Sequence, residues 1–527
     1  MKAAVSKQEI TPETVEQLTA ENTELRQRLL QTEQHNQSLK SQLDWFKRQL
    51  FGSKSEKRVV VAPGQMDIAD LLGTEMSPPV HAPTEKVTYI RRKRKRRADD
   101  CVTDTGLRFD KDVPVKVINI AHPDLQGADA TEYQVIDQKI SRRLAQRPGS
   151  YVVLEYRRPV VKHLPTQQLS TAPLPAAVLD KSLADVSLLA GLLVDKFTYH
   201  LPLYRQHQRM AHSGITLSRT TLTHWVKRAI DLLTPIYQAQ HRHILLSRVL
   251  AMDETPIRAG RKKPGKMHRG WLWPIYGECD EICFTYSPTR GTEHIESQLD
   301  GFKGVLLTDG YAAYDCFAKN KPEVTQAQCW AHARRYFIRA ENIEPTAVAQ
   351  ALEHIGALYG IEKDIQTRKL NGAEKLDYRI RHARPLADSF FDWCRQQQQR
   401  IDLVKSNPLT KALVYVANQR EQMRVYLSDP DVAIDTNHVE RNLRAIPMGR
   451  KNWNFAWTEV GAAHIGIIQS LLTTCRLHGI DPYTYLVDVL QRIDRHPASR
   501  VAELTPRTWK EMFAKAPLRS ALYDHDD

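Results

Sequence analysis

The stretch from residue 248 to 340 constrains the fold most, because its apolar pattern switches repeatedly between a period of two and a period near 3.6. RVLAMDET, GWLWPIYG and EICFTYS read as short strands, followed by a helical TEHIESQLDGF and the strand GVLLTDG. A helical YAAYDCFAK, a strand VTQAQCW and the helix AHARRYFIRA complete the run. Three strands followed by alternating helices and strands predict a mixed sheet flanked by helices.

That order is the layout of a ribonuclease-H-like α/β fold, and it gives two aspartates a special place. Asp253 falls at the end of the first strand and Asp309 just past the fourth. Those strands are neighbours in such a sheet, so the two carboxylates are expected to converge. Mg²⁺ is a hard cation that takes oxygen ligands and keeps positions for water and phosphate. Two such ions, about 3.5–4 Å apart, serve the attacking and leaving oxygens of an in-line phosphoryl displacement. Each aspartate also has a plainer reading: Asp309-Gly310 as a turn, and Asp253 with Thr255 as a cap. If the first strand continues through Glu254, alternation turns that side chain to the opposite face.

Two aspartates need a third acid, and IDTNHVERNLR (residues 434–444) offers Glu440. Asp435 or Thr436 can cap a helix running to about Ile446, with Glu440 in its second turn. Around it stand Arg441 and Arg444, and MGRKNW adds Arg450, Lys451 and Trp453, which are candidate DNA contacts. The competing reading is a local Glu440–Arg444 ion pair four residues apart. Residues 341–430 read as helices throughout, so the sheet core is expected as two parts, 247–340 and 433–495. An all-helical insertion, 341–432, separates them, and a C-terminal tail, 496–527, follows.

Upstream, residues 15–50 follow a heptad whose core positions are mostly apolar and free of glycine and proline. Asn22 and Asn36 interrupt the seam in the way that fixes register, so segment 1–58 is expected to be a coiled-coil multimerisation helix. The alternative is an amphipathic helix packed on its own chain. A Pro- and Gly-containing linker, 59–100, ends in RRKRKRR, with Arg91, Arg92, Lys93 and Arg94 leading a run suited to sequence-independent phosphate binding. Segment 101–175 reads as a small β-rich unit. Segment 176–246 reads as a helix-turn-helix: LYRQHQRMAH, a turn at Ser213-Gly214-Ile215, then a helix capped by Ser218. The second helix buries Leu222, Trp225, Val226, Ala229 and Ile230, and presents Arg219, Thr220, Thr223, Lys227 and Arg228. A helical hairpin without DNA has the same pattern.

The chain has 527 residues and a formal charge of +14. That length implies several structural units, and the positive excess favours double-stranded DNA over a small acidic ligand or a membrane surface. No stretch approaches a membrane span, and MKAAVSKQEITPE lacks the apolar core of a secretory signal. Seven scattered cysteines suit a reducing compartment, so a cytoplasmic location is expected.

LDWFKRQLFGSKSEK, YHLPLYRQ with SRTTLTHWV, AMDETPI, LLTDGYAAYD, CWAHARR, NHVERNLRAIPMGRKNWNF and LHGIDPYTYL occur in this order from about residue 43 to 490. Together they resemble the bacterial insertion-sequence sixty-six family of DDE transposases. The resemblance implies that Asp253, Asp309 and Glu440 are the three catalytic and metal-binding acids of a ribonuclease-H-like core. It also implies hydrolysis at the inverted-repeat ends of a mobile element and transfer of the freed 3′ hydroxyl to target DNA. The implied protein is a homodimer or larger assembly associated with the bacterial nucleoid, with accessory proteins of the same element as further partners. The expected cofactor is a pair of Mg²⁺ ions, for which Mn²⁺ can substitute.

One departure is plain. Family members carry a zinc-ribbon segment after the basic run, whereas residues 98–170 here hold only Cys101, so no zinc is expected. Cys329 and His332, even with Cys279 and Cys283, read more naturally as buried thiols and a capping or phosphate-facing histidine. Two further functions stay open at this level: a DNA-binding regulatory or architectural protein with an inactive core, and a ribonuclease-H-like nuclease that cuts without joining.

Overall fold

A computed structural model describes residues 108–126, 130–147, 149–263, 266–453, 456 and 458–523, together with Arg26, Arg28 and Thr32. Those three isolated residues are helical. The heptad, the basic run with Arg91, Arg92, Lys93 and Arg94, and Cys101 otherwise lie outside the described residues. The chain divides into two compact units, one comprising 1–98, 337–350 and 401–411, the other 99–336, 351–400 and 412–527. In the first, Asn407 Nδ2 donates to Glu344 Oε1 at 3.2 Å while Asn407 Oδ1 accepts from Leu409 N.

The second unit begins with β1 (Arg108–Phe109), β2 (Val115–Asn119), β3 (Tyr133–Arg147), β4 (Ser150–His163) and β5 (Leu169–Thr171). β3 and β4 form a long hairpin that turns at Gly149, where φ is +84°. β2 pairs in parallel with β4, and β5 continues that sheet. Helices α1 (Val186–Phe197) and α2 (Leu203–His212) follow, and then β6 (Ile215–Thr216), which pairs with β1.

Helix α3 (Arg219–Ile244) starts as expected, with Ser218 Oγ accepting from Thr221 N at 3.1 Å. It runs on through Pro235, well past the amphipathic stretch that ends at Leu233. A proline inside a helix costs about 3 kcal/mol. Burial of Ile236, Ala239 and Ile244 offsets that cost, as does Gln240, whose Nε2 donates to Ile282 O at 2.8 Å and Thr474 Oγ1 at 2.9 Å.

The central sheet contains β7 (Val249–Met252), β8 (Thr255–Lys263), β9 (Lys266–Tyr276), β10 (Ile282–Ser287), β11 (Gly304–Thr308) and β12 (Val324–Gln328). Its order is β10-β9-β7-β11-β12, with β8 paired to β9 off this path. One more strand therefore precedes the first crossover helix than the apolar pattern suggests: RVLAMDET breaks at Asp253-Glu254, and TPIRAGRKK is a strand of its own. Helices α4 (Thr292–Gln298) and α5 (Ala312–Lys319) make the crossovers.

Alternation along β9 and β10 feeds two cores. Leu272, Ile282 and Phe284 join one that includes α1, α3 and the C-terminal helices, whereas Trp273, Ile275 and Cys283 join the other with Leu250, Leu306 and Tyr314.

After α6 (Trp330–Ile338) the described chain is helical: α7 (Pro345–Arg368), α8 (Gly372–Tyr378), α9 (Arg384–Gln398), α10 (Pro408–Asn418) and α11 (Arg420–Arg424). Then come α12 (Asn437–Leu443), α13 (Ala445–Trp453), α14 (Glu459–Leu477), α15 (Pro482–Arg492) and α16 (Pro506–Met512). β10 is an edge strand, and α14 covers it. Ser470 Oγ accepts from Phe284 N at 2.8 Å and Thr474 Oγ1 from Ile282 N at 3.3 Å, so the edge donors are satisfied by a helix. Gly466 permits this approach, since a Cβ there would lie 2.5 Å from Phe284 O. No helix among the described residues is long and apolar enough to cross a membrane.

Candidate functional site

Parallel pairing brings the two aspartates together. Val305, Leu306 and Leu307 of β11 partner Val249, Leu250 and Ala251 of β7, and each strand stops one residue before its aspartate. The carboxylates of Asp253, Asp309 and Glu254 each offer an oxygen, and these atoms all lie within 4.8 Å of one another. Glu254 is the surprise. β7 does not continue through it, because Asp253 Oδ1 accepts from Glu254 N at 2.7 Å and the chain re-enters the sheet only at Thr255. Strand alternation therefore does not apply, and Glu254 turns toward the aspartates instead of the opposite face.

The surroundings hold each acid differently. Glu254 is buried, accepting from Tyr314 OH at 3.0 Å and from Arg290 Nη2. The Arg290 guanidinium sits 3.6 Å from the Tyr311 ring centroid and 4.7 Å from that of Trp271. Asp309 Oδ1 accepts from Tyr311 N at 2.9 Å, and Gly310 follows with φ +80°. Asp309-Gly310 thus forms a turn, and the turn itself aims the carboxylate.

Burial pushes the Asp253 carboxyl up to about 8, with the charges of Asp309, Glu254 and Glu440 adding to the effect. Burial likewise raises Glu254, outweighing its Arg290 partner. All the donors are hard oxygens packed at a density their mutual repulsion opposes, so the group suits a divalent cation.

Glu440 lies on α12 but outside that group of three. Arg335 of α6 donates from Nη2 to both its carboxylate oxygens, and His332 Nε2 stands 3.6 Å from Glu440 Oε1. The local Glu440–Arg444 pair does not form. Instead the helix breaks at Arg444, its C-cap, and α13 begins. At the start of α12, Asp435 Oδ1 accepts from Asn437 N at 3.0 Å, while Thr436 N and Oγ1 both reach the buried Cys329 Sγ at 3.3 Å. Thus Cys329 positions the helix that carries Glu440. Cys283 is also buried and Cys279 exposed.

Of the sequence-predicted DNA contacts, Arg219, Thr223 and Lys227 are exposed along α3, with Arg219 over the Tyr204 ring at 5.7 Å. Arg228 donates to Asp180 O at 3.3 Å. Thr223 and Lys227 line a cavity of about 430 Å³ together with Trp453, so two distant parts of the sequence meet there. Arg441, Arg444 and Lys451 are exposed, whereas Arg450 donates to Pro256 O. Sequence reasoning missed Glu254, Arg290, Tyr314 and Arg335 as neighbours of the acids. Glu254 within AMDETPI, Tyr314 within LLTDGYAAYD and Arg335 within CWAHARR lay in motifs of the family resemblance, whereas Arg290 carried no signal.

Residues 181–464 match the model described as Transposase IS66 family, 470–507 the IS66 C-terminal element, and 38–118 the model described as Transposase C of IS166 homeodomain. Uncharacterized protein y4hP of Sinorhizobium fredii is 30% identical over 409 residues, 73% of each chain. Uncharacterized protein y4jD of the same organism is 32% identical over 367 residues, 64% of this chain and 69% of its own length. A match this long to the family model, running through both aspartates and Glu440, shows that the chain belongs to the IS66 family of transposases.

Proposed function

We propose that this chain is a DDE-type transposase that binds the inverted-repeat ends of an insertion sequence, hydrolyses a phosphodiester at each end and transfers the 3′ ends to target DNA. The observation that carries this reading is the pairing of β7 with β11, which puts Asp253 beside Asp309 in a partly buried acidic group. The strand order β10-β9-β7-β11-β12, interrupted afterwards by helices and completed by α12 to α15, supports a ribonuclease-H-like core with a helical insertion.

Asp253 and Asp309, with Glu440 as third acid, would hold two Mg²⁺ ions, or Mn²⁺ in their place, which supply Lewis-acid activation of the attacking oxygen and charge stabilisation of the leaving oxygen. The protein's own groups prepare that site. Glu254, clamped by Arg290 and Tyr314, adds negative potential behind Asp253 and stiffens the end of β7. Arg335 neutralises Glu440 and fixes its orientation. The exposed front of α3, with Arg219, Thr223 and Lys227, reads the element end. Arg441, Arg444 and Lys451 hold phosphates near the acids, while Arg450, Arg228 and Trp453 shape the surfaces that carry them. The heptad would pair chains into a homodimer or larger assembly, and Arg91, Arg92, Lys93 and Arg94 would add salt-sensitive affinity for DNA in the nucleoid.

The test is cleavage and strand transfer on end-containing DNA with Mg²⁺, comparing the protein with Asp253→Asn and Glu440→Gln. Loss in both is expected, and retained cleavage in both would sink the assignment. Cutting without joining by the unaltered protein would make it a nuclease, and DNA binding without cutting a regulator.

A further inference from the structure

A second cleft, of about 560 Å³, opens between the C-terminal end of α1, the α12–α13 junction, the last turns of α14 and the start of α15. Three guanidinium side chains line it: Arg441 and Arg444 beside Glu440, and Arg476 from the far end of α14. No carboxylate lines it. Several other arginines of this unit are matched by acids, Arg290 by Glu254, Arg335 by Glu440, Arg379 by Glu362 and Arg248 by Asp429 and Asp431, and the buried Arg143 and Arg158 are met by backbone oxygens. Among the described residues, no carboxylate lies within ion-pair distance of Arg441, Arg444 or Arg476. Arg476 spends one donor, Nη2, on Asn442 Oδ1 at 3.1 Å, which holds the side chain against α12. Arg441 and Arg444 are three apart on one helix, an arrangement in which like charges repel. His200 also lines the cleft, with φ +58° and a buried Nδ1 that has no hydrogen-bond partner. A concentration of cations without their anion calls for an anion from outside.

We propose that this cleft is a phosphate-binding site that grips the backbone of a DNA strand, with Arg476 and His200 as contacts alongside Arg441 and Arg444. The identification of the anion as DNA rests on the transposase reading, because Glu440 precedes Arg441 on the same short helix. The walls fit a polymer better than a free anion: Met448, Leu472, Ile480 and Pro482 give apolar surface on which sugars can lie. The site thereby links the end of α1, before the DNA-reading helices, to the helix of the third acid.

The experiment is anisotropy of a labelled DNA duplex of arbitrary sequence, titrated at several salt concentrations without divalent metal, using the full chain and Arg476→Ala, Arg476→Lys and Arg395→Ala. Arg476→Ala is expected to weaken binding several-fold and to reduce the slope of log K against log salt by about 0.9, the value for one lost phosphate contact. Arg476→Lys should keep the slope, and Arg395→Ala, at an exposed position of α9 paired with Asp392, should match the unaltered protein. Melting curves establish that each variant is folded. An unchanged slope in folded Arg476→Ala overturns the proposal, and so does an equal loss in Arg395→Ala. Thermal stabilisation by inorganic phosphate or a nucleoside triphosphate that depends on Arg476, with DNA binding unchanged, overturns DNA as the ligand. Because this binding assay needs no metal, a failure of the catalytic reading shows separately, as absent cleavage in the Mg²⁺ assay with binding here intact.

Discussion

Asp309 stands two residues beyond Leu307, and Asp253 two beyond Ala251. Leu307 and Ala251 are register partners in parallel strands, so the two carboxylates leave the sheet side by side. With Glu254 turned in next to them, three acids share one partly buried edge, where Arg290 pairs with Glu254. Folding of the metal-free chain works against that arrangement, and the first two predictions follow from it.

The metal-free protein should lose stability as pH rises from about 4 to 8. The Asp253 carboxyl is pushed up to about 8 from an ordinary 3.8, so over that range the folded chain holds a proton that the unfolded chain has released. Asp253→Asn removes the titration. In urea melts with chelator, the variant should gain on the unaltered protein as pH rises, by on the order of 2 kcal/mol or more at pH 8. A difference that stays flat across pH would contradict the raised carboxyl.

Magnesium should reverse the penalty. A cation bound only by the folded state stabilises by mass action, about 2.7 kcal/mol at a hundred times its dissociation constant. Thermal melts with and without Mg²⁺ should therefore show a shift for the unaltered protein at pH 8, and little or none for Asp253→Asn or Asp309→Asn. An equal shift in all three proteins would place the ion elsewhere.

Arg335 is expected to act through Glu440. Arg335→Ala frees a carboxylate that is now held at both oxygens, so strand cleavage should fall by one to two orders of magnitude, about 1.4–2.7 kcal/mol in the barrier. Arg335→Lys, which keeps charge but loses the two-pronged geometry, should recover only part. Stability should change by no more than about 1 kcal/mol, since Arg335 is itself two-fifths exposed. Full cleavage by Arg335→Ala would separate this ion pair from the chemistry.

Gly466→Ala should destabilise the central sheet from its β10 edge. The added Cβ would meet Phe284 O at 2.5 Å, a backbone atom that cannot swing away, so α14 must lift off β10 and strain the Ser470 and Thr474 bonds. Overpacking of this kind costs about 1–3 kcal/mol. A urea midpoint equal to that of the unaltered protein would show that the helix has room to move.

Much of this was legible in the residues because it depends on local periodicity. The short apolar run in GVLLTDG and the strand-forming VTQAQCW mark strands, the Ser218 cap starts α3, and Arg219, Thr223 and Lys227 mark an outer face. Less legible was whatever depends on a break in that periodicity. The one bond from Glu254 N to Asp253 Oδ1 ends β7, and by doing so reverses the direction in which Glu254 points. Pro235 misled in the opposite sense, since tertiary burial carries α3 through a residue that locally ends helices.

The sequence by itself determined the family and the mixed α/β character, and it singled out Asp253 and Asp309 as candidates, because these rest on which residue types recur at which spacing. Tertiary structure alone decided who stands beside whom. The register of β11 on β7 joins Asp253 to Asp309, Arg335 claims Glu440 across more than a hundred residues, and Arg476 meets Arg441 and Arg444 at a cleft that no local pattern encodes. Such partnerships are set by the packing of whole elements, and a side chain's electrostatic role is defined only once its neighbours are in place.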